Sequence, residues 1–183
     1  MTLYRFPSLS WTVVWRELQR TQYYPFVLRN SKEGKVFQIE GDSAGFVQLA
    51  VHFLMVAAEG FYSHLETRDR VRGAWMFEAG VPVKIGDNTG KGWEARMISS
   101  YTYKSRPLHG QNRPSLGSGA ECIAALHDDF SISGNFEALL SLANHSFDLA
   151  DPETGIGAGC DYEPGAALSS DSIPLHLRRI ANA

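Results

Sequence analysis

The triplet His127-Asp128-Asp129 is the stretch of this chain best suited to chemistry, because an imidazole beside two carboxylates can hold a divalent metal or act as a general base. A metal-dependent hydrolase of this type needs further His and Asp ligands on helices, whereas His127 stands just ahead of a strand-like run. Solvated turn residues are the simpler reading and a metal-dependent hydrolase the alternative. In DPETGIGAGCDYEPG, the carboxylates Asp151, Glu153, Asp161 and Glu163 lie close in sequence, as calcium ligands do, but no Glu stands where a twelve-residue calcium loop places its bidentate ligand. Gly, Gly and Lys in GDNTGKG, at 86–92, suggest a phosphate loop; the spacing is one residue short and the magnesium-binding Ser/Thr is missing, so the stretch reads as a turn. Gly155, Gly157 and Gly159 follow a helical pattern instead of opening one, the wrong context for a dinucleotide. His52 and His145 sit beside apolar positions at helical spacing and read as partly buried imidazoles bonded to backbone. Cys122 and Cys160 have neither metal-ligand spacing nor the number for a disulfide framework. No cofactor is expected.

Charge narrows the field further. The net charge of −3 conceals 15 Lys/Arg against 10 Asp/Glu in residues 1–113, and 2 against 10 in residues 114–183. A field of one sign over such a length repels like-charged partners, so the C-terminal half is not expected to touch nucleic acid directly and suits a basic protein. The aromatics concentrate in the basic half, at Trp11, Trp15, Tyr23, Tyr24, Trp75, Trp93, Tyr101 and Tyr103. They could stack on single-stranded nucleic acid, but their strand-like alternation favours packing. The longest apolar-rich run is about 13 residues where a membrane span needs roughly 20, and the opening residues do not read as a signal peptide, so a cytoplasmic protein with no membrane partner is expected.

The elements that must position these residues repeat. Residues 37–57 and 130–150 align without a gap, 93 positions apart, with seven identities: Phe37/Phe130, Ile39/Ile132, Gly41/Gly134, Leu49/Leu142, Ala50/Ala143, His52/His145 and Ala57/Ala150. Phe-x-Ile alternates as a strand does, Gly followed by Asp42 or Asn135 supplies turn chemistry, and the apolar spacing then becomes helical. One helix face is Phe46, Leu49, Ala50, Phe53, Leu54 and Ala57; the other is Leu139, Leu142, Ala143, Phe147 and Ala150. Around them the sequence predicts a helix near 10–20 capped by Ser10, a hairpin about SKEG, and a helix tail reaching about Arg68. It also predicts an antiparallel pair on either side of the 86–92 turn and a closing strand through Leu175 and Leu177. The Gly/Pro-rich stretch 107–119 reads as a linker between halves. The expectation is an α+β fold made by duplication, with helices on one face of mainly antiparallel sheet and two related halves, 1–113 and 114–183.

The second half resembles small immunity proteins of bacterial polymorphic toxin systems. Gly134, Asn135, Leu139, Leu142, Ala143, Asp161, Leu168, Ser172, Leu175 and Leu177 carry the likeness over about 50 residues. The first half matches only in its strand and helix, through Ile39, Gly41, Asp42, Gly45, Leu49 and Ala50, and Asn135 replaces the Asp common in the family motif. The resemblance implies a non-catalytic protein that neutralises one cognate toxin by occluding its active or functional surface. The charge imbalance adds that this toxin is basic, as a nuclease is. Asp128, Asp129, Asp148, Asp151, Glu153, Asp161 and Glu163 are then the expected contact residues. A hydrolase using His127, Asp128 and Asp129, and an adaptor that dimerises through the aromatic strands, remain the alternatives.

Overall fold

The structure is a computed structural model that describes residues 1–9, 11–22, 26–33, 35–59, 63–65, 83–87, 100–126 and 130–182. In chain order its elements are β1 (Leu3–Phe6), α1 (Trp11–Gln22), β2 (Leu28–Glu33), β3 (Val36–Gly41), α2 (Ser43–Glu59), β4 (Ser63–Leu65) and β5 (Val83–Asp87). There follow β6 (Tyr101–Lys104), β7 (Gln111–Asn112), β8 (Cys122–Leu126), β9 (Phe130–Gly134), α3 (Phe136–Ala150), β10 (Gly159–Tyr162) and β11 (Leu175–Arg179). The fold is α+β, with mixed sheets. No helix among the described residues is long and apolar enough to cross a membrane.

The two matching segments take the same form for local reasons. In each, a strand ends at a glycine, and the next side chain caps a helix; in β3 the residues alternate inward and outward. Asp42 accepts a hydrogen bond from the Gly45 amide (2.7 Å), and Asn135 accepts one from the Ala138 amide (3.0 Å), each three residues on. Asn135 does more than a carboxylate could. Its oxygen also accepts from the Glu121 amide (3.0 Å), and its amide nitrogen donates to the Gly119 carbonyl (2.7 Å). An Asp in its place would lack that donor and set a carboxylate against a carbonyl.

Pairing between strands is less local. One sheet has the order β2-β3-β11-β10-β7 and another β4-β5-β9-β8, while β1 and β6 form a separate antiparallel ribbon. The hairpin β2-β3 precedes α2, and across a parallel seam from Leu175↔Phe37 to Arg179↔Gly41 it meets β11, which with β10 follows α3. The hairpin β8-β9 precedes α3, and across a parallel seam from Val83↔Phe130 to Asp87↔Gly134 it meets β5, which with β4 follows α2. Each half thus completes its neighbour's sheet. Of the residues expected to pair on either side of the 86–92 turn, the described ones join other strands, β5 pairing with β4 and β9 and β6 with β1; residues 70–82 and 88–99 lie outside the described residues. Helix α2 ends by Glu59, well short of Arg68, and a strand begins at Ser63. Residues 107–119 are an anchored segment and no free linker, because β7 pairs with β10 and Gly117 donates its amide to Ser141 (3.2 Å).

Helices α2 and α3 pack on each other at the centre. All six residues of the expected α2 face are buried, and so are Gln48, Val51, His52, Met55 and Val56, which lie off it. A helix apolar all round belongs inside a protein. The start of α2 meets the end of α3 where the Ser43 hydroxyl donates to the Ala150 carbonyl. On the near side, α1 buries Val14 and Leu18; Trp15, expected with them, is 37% exposed.

Gly45 lets the first turn of α2 press against the chain entering β2. A β-carbon there would lie 2.0 Å from the Val27 carbonyl oxygen. A helical Gly→Ala change ordinarily stabilises by about 0.5–1 kcal/mol. Here Gly45→Ala is expected to destabilise by about 2 kcal/mol or more in urea unfolding, because backbone must move. Gly155→Ala, which meets nothing within 4 Å, serves as the near-neutral control.

Candidate functional site

Two features stand out at the end of α3 where the β1-β6 ribbon crosses it: a buried polar network and, beside it, an open cleft. Strand alternation turns Tyr4, Phe6, Tyr101 and Tyr103 inward. Tyr4 stacks on Phe147 with ring centroids 3.9 Å apart, and Tyr101 and Tyr103 flank the same ring. The tyrosine hydroxyls then reach polar groups on α3. Tyr101 donates to Asn144, and Tyr103 donates to both Asp148 oxygens at 2.8 and 2.9 Å. The Arg106 amide adds a 2.7 Å bond to Asp148. Asp151, just past the helix, accepts from the Ser105 hydroxyl, from the Thr2 amide (3.2 Å) and from the Glu153 amide (3.0 Å), and lies 3.3 Å from the Met1 ammonium.

Burial sets the protonation of this network. It pushes the Asp148 carboxyl up, against the hydrogen bonds from Arg106 and Tyr103. For Asp151, burial pushes the same way, but the Ser105 and Glu153 bonds and the Met1 ammonium outweigh it and hold the carboxyl below its ordinary value. Desolvation pushes Tyr4 up to about 12 and raises Tyr101 and Tyr103, the latter helped by Asp148. The buried Cys160 thiol is pushed up to about 12 by desolvation, so it is no thiolate at neutral pH. Chemically the network clamps the ribbon to α3.

The expected contact residues accordingly divide. Asp148 (6% exposed) and Asp151 (0% exposed) are withdrawn from the surface and serve as internal anchors. Asp161 pairs with Arg178 at 2.5 Å, with His176 at 3.8 Å. Glu153 and Glu163 do face outward, the first 3.2 Å from the Met1 ammonium and the second 3.8 Å from His176. His127, Asp128 and Asp129, with the hydrolase built on them, lie outside the described residues, as do residues 88–92 of the glycine-rich turn. Among the described residues no group of three or more His, Cys, Asp or Glu could hold a metal ion. His52 donates from Nδ1 to the Gln48 carbonyl (2.8 Å), and His145 shares a 2.9 Å hydrogen bond with the Tyr162 hydroxyl, a side chain in place of the expected backbone partner. Of the aromatics weighed for stacking on nucleic acid, Tyr101 and Tyr103 are packed on α3, while Tyr23, Tyr24, Trp75, Trp93 and the Trp11 side chain lie outside the described residues.

Comparison of the chain with protein-family models, with curated proteins and with solved structures gives no match.

Acid should loosen the fold in two stages. Burial lowers His52 and His145 from 6.5 to about 4, so the unfolded chain takes up protons that the folded one refuses, and stability declines as pH falls from about 6.5 towards 4. Asp151 is depressed, so the stability it supplies is full above the ordinary carboxyl value and is lost as pH falls below it. Thermal unfolding between pH 7.5 and 3 is expected to show a His145→Gln variant with a flatter decline in the first window, and Asp151→Asn with a flatter decline in the second. Parallel curves for all three proteins would remove these groups from the pH response.

Proposed function

We propose that this chain is a non-catalytic binding protein that neutralises a cognate bacterial toxin by covering its active or functional surface. The carrying observation is the arrangement of charge in the C-terminal half. Both of its arginines are engaged within the fold: Arg178 on Asp161 at 2.5 Å, and the buried Arg179 on the Ile180 carbonyl (2.7 Å) and Asn182 (2.9 Å). What that half presents to solvent among the described residues is negative, through Glu121, Glu153, Glu163 and Asp171 with the half-buried Glu137. Such a surface speeds encounter with a positively charged partner and disfavours polyanions. A nuclease, whose own groove is built for phosphate, is the partner class that fits. The likeness of residues 130–180 to immunity proteins supports the same reading.

The contact set suited to this role differs from the one drawn from sequence. Glu121 and Asp171 join Glu153 and Glu163 as the outward acids, and Asp148, Asp151 and the Arg178-paired Asp161 leave it. The experiment is co-expression with the toxin encoded beside this chain, followed by association kinetics of the purified pair. Protection of the host is expected, together with a complex in which the triple variant Glu121→Lys/Glu163→Lys/Asp171→Lys associates about tenfold more slowly at low salt, the difference shrinking at high salt. Absence of protection would sink the toxin reading. Protection with unchanged association rates would keep it and discard this surface.

A further inference from the structure

The open cleft beside the α3 network, about 520 Å³ in volume, has no accessible apolar floor: Val51 and Phe147 are 0% exposed, Ala150 is 1% exposed, and Tyr4 stacks over Phe147. The other side of the ribbon is different in kind. With Tyr4, Phe6, Tyr101 and Tyr103 turned inward, strand alternation turns Leu3 and Arg5 of β1 and Thr102 and Lys104 of β6 outward, and all four are exposed. The register sets Leu3 opposite Lys104 and Arg5 opposite Thr102. A bond from the Ser105 amide to the Thr2 carbonyl (2.9 Å) carries the pairing one step further, where Met1 and Arg106 are exposed in turn.

This outward face holds charge of one sign. Arg5, Lys104 and Arg106 have no ion-pair partner among the described residues. Arg106 acts in addition, from a distance, on the buried Asp148. Glu153, at the end of the ribbon, is taken up by the Met1 ammonium at 3.2 Å. The Glu121 amide lies on Asn135 at the start of α3, whereas the ribbon is anchored further along that helix, on Asn144, Asp148 and Asp151. Among the cations stand Leu3, 47% exposed, and Met1, 64% exposed. They are two of the four large apolar residues exposed among the described ones, so apolar surface is gathered on this face and not merely scattered.

Size and chemistry together select the occupant. From Met1 to Arg5 the face runs about 14 Å and is two strands wide, a small part of the roughly 800 Å² that each partner gives to a standard protein interface. Nucleic acid phosphates would pair with the cations but leave Leu3 and Met1 nothing apolar to meet, and no aromatic ring stands outward on the ribbon for a base to stack on. An anionic bilayer surface matches both kinds of group. Lipid phosphates meet the guanidinium and ammonium groups at headgroup depth, and the apolar side chains dip below them towards the acyl chains. Such a surface requires neither a shaped counterpart nor a spanning helix.

We infer that the outward face of the β1-β6 ribbon docks on an anionic lipid bilayer, with Arg5, Lys104 and Arg106 on lipid phosphates and Leu3 and Met1 entering the headgroup layer. The absence of a membrane partner expected from the sequence rested on the lack of a span and does not extend to contact of this kind. This reading is independent of the one proposed for the acids of the C-terminal half.

The test is flotation of the full chain with vesicles of phosphatidylcholine alone, or of phosphatidylcholine and phosphatidylglycerol in equal parts. Binding to the anionic vesicles is expected, fading as salt is raised, with none to phosphatidylcholine. Arg5→Gln/Lys104→Gln should weaken it about 25-fold, since each basic side chain counts about fivefold near such a surface. Leu3→Ser should weaken it about tenfold through lost apolar burial. Lys35→Gln, which removes an exposed cation at the turn between β2 and β3, should leave it nearly unchanged. Circular dichroism establishes that each variant is folded. Duplex DNA and polyglutamate, offered in place of vesicles, separate the other anionic partners. Binding to either that is as tight as binding to vesicles, and that Leu3→Ser leaves untouched, would replace the bilayer with a general polyanion site. No binding of the wild-type chain to anionic vesicles, or binding that Arg5→Gln/Lys104→Gln leaves untouched, overturns the inference.

Discussion

The parallel seams β3-β11 and β5-β9 are the constraint on which the rest of the molecule depends. A strand in mid-sheet must have both rows of backbone groups paired, because an unpaired buried amide or carbonyl costs as much as a lost hydrogen bond. β3 has β2 on one side and obtains its other partner from the far end of the chain; β9 has β8 on one side and obtains its other partner from the first half. Neither half closes its own sheet. The two central helices each bridge both sheets: α2 touches β3 of one and β4 and β5 of the other, and α3 touches β11 of the first and β9 of the second.

The two matching segments are alike in their buried helices and differ in what covers them. Inside, both segments bury the strand isoleucine, Ile39 or Ile132, and a helix along most of its length, with an Asp or Asn capping the helix. Outside, one helix is covered by α1 and the other by the extended chain of residues 105–120, with different consequences. Along α3, that chain brings Tyr103, Ser105 and Arg106 onto Asp148 and Asp151, two carboxylates that could not otherwise stay buried. Along α2, the cover is α1, which reaches Gln48 through the Thr21 hydroxyl. The acidic excess of the C-terminal half is thus partly internal, and only its remainder faces solvent.

Legibility in the sequence followed the range of the interaction. The strand-cap-helix units could be read because alternation, the capping side chain and the helical period are all decided within about ten residues. The closing strand at Leu175 and Leu177 was readable for the same reason. Strand partners were not: residues near 83–87 and 101–104 look like a hairpin by composition, but both pair with strands far away in sequence, and tertiary pairing overrides proximity. The inward fate of Asp148 and Asp151 was hidden by counting them as charge. A signal did exist in Tyr101-x-Tyr103-x-Ser105, which places three hydroxyl donors on one face of an extended segment. Donors in such a row call for buried acceptors, and Asn144, Asp148 and Asp151 provide them for Tyr101, Tyr103 and Ser105 in turn.

Interlocking of the halves is tested most directly by cutting the chain once and asking whether it notices. A protease site introduced at the exposed turn 117–119, cleaved in the folded protein, leaves two fragments joined only by the seams, the ribbon and the helix contact. Gel filtration and urea unfolding followed by tryptophan fluorescence and circular dichroism then decide the matter. Interlocked halves elute together as one particle and lose structure in a single transition that both probes trace alike. Fragments that part under native conditions, or two transitions at different urea concentrations, would contradict a fold in which neither half completes its own sheet.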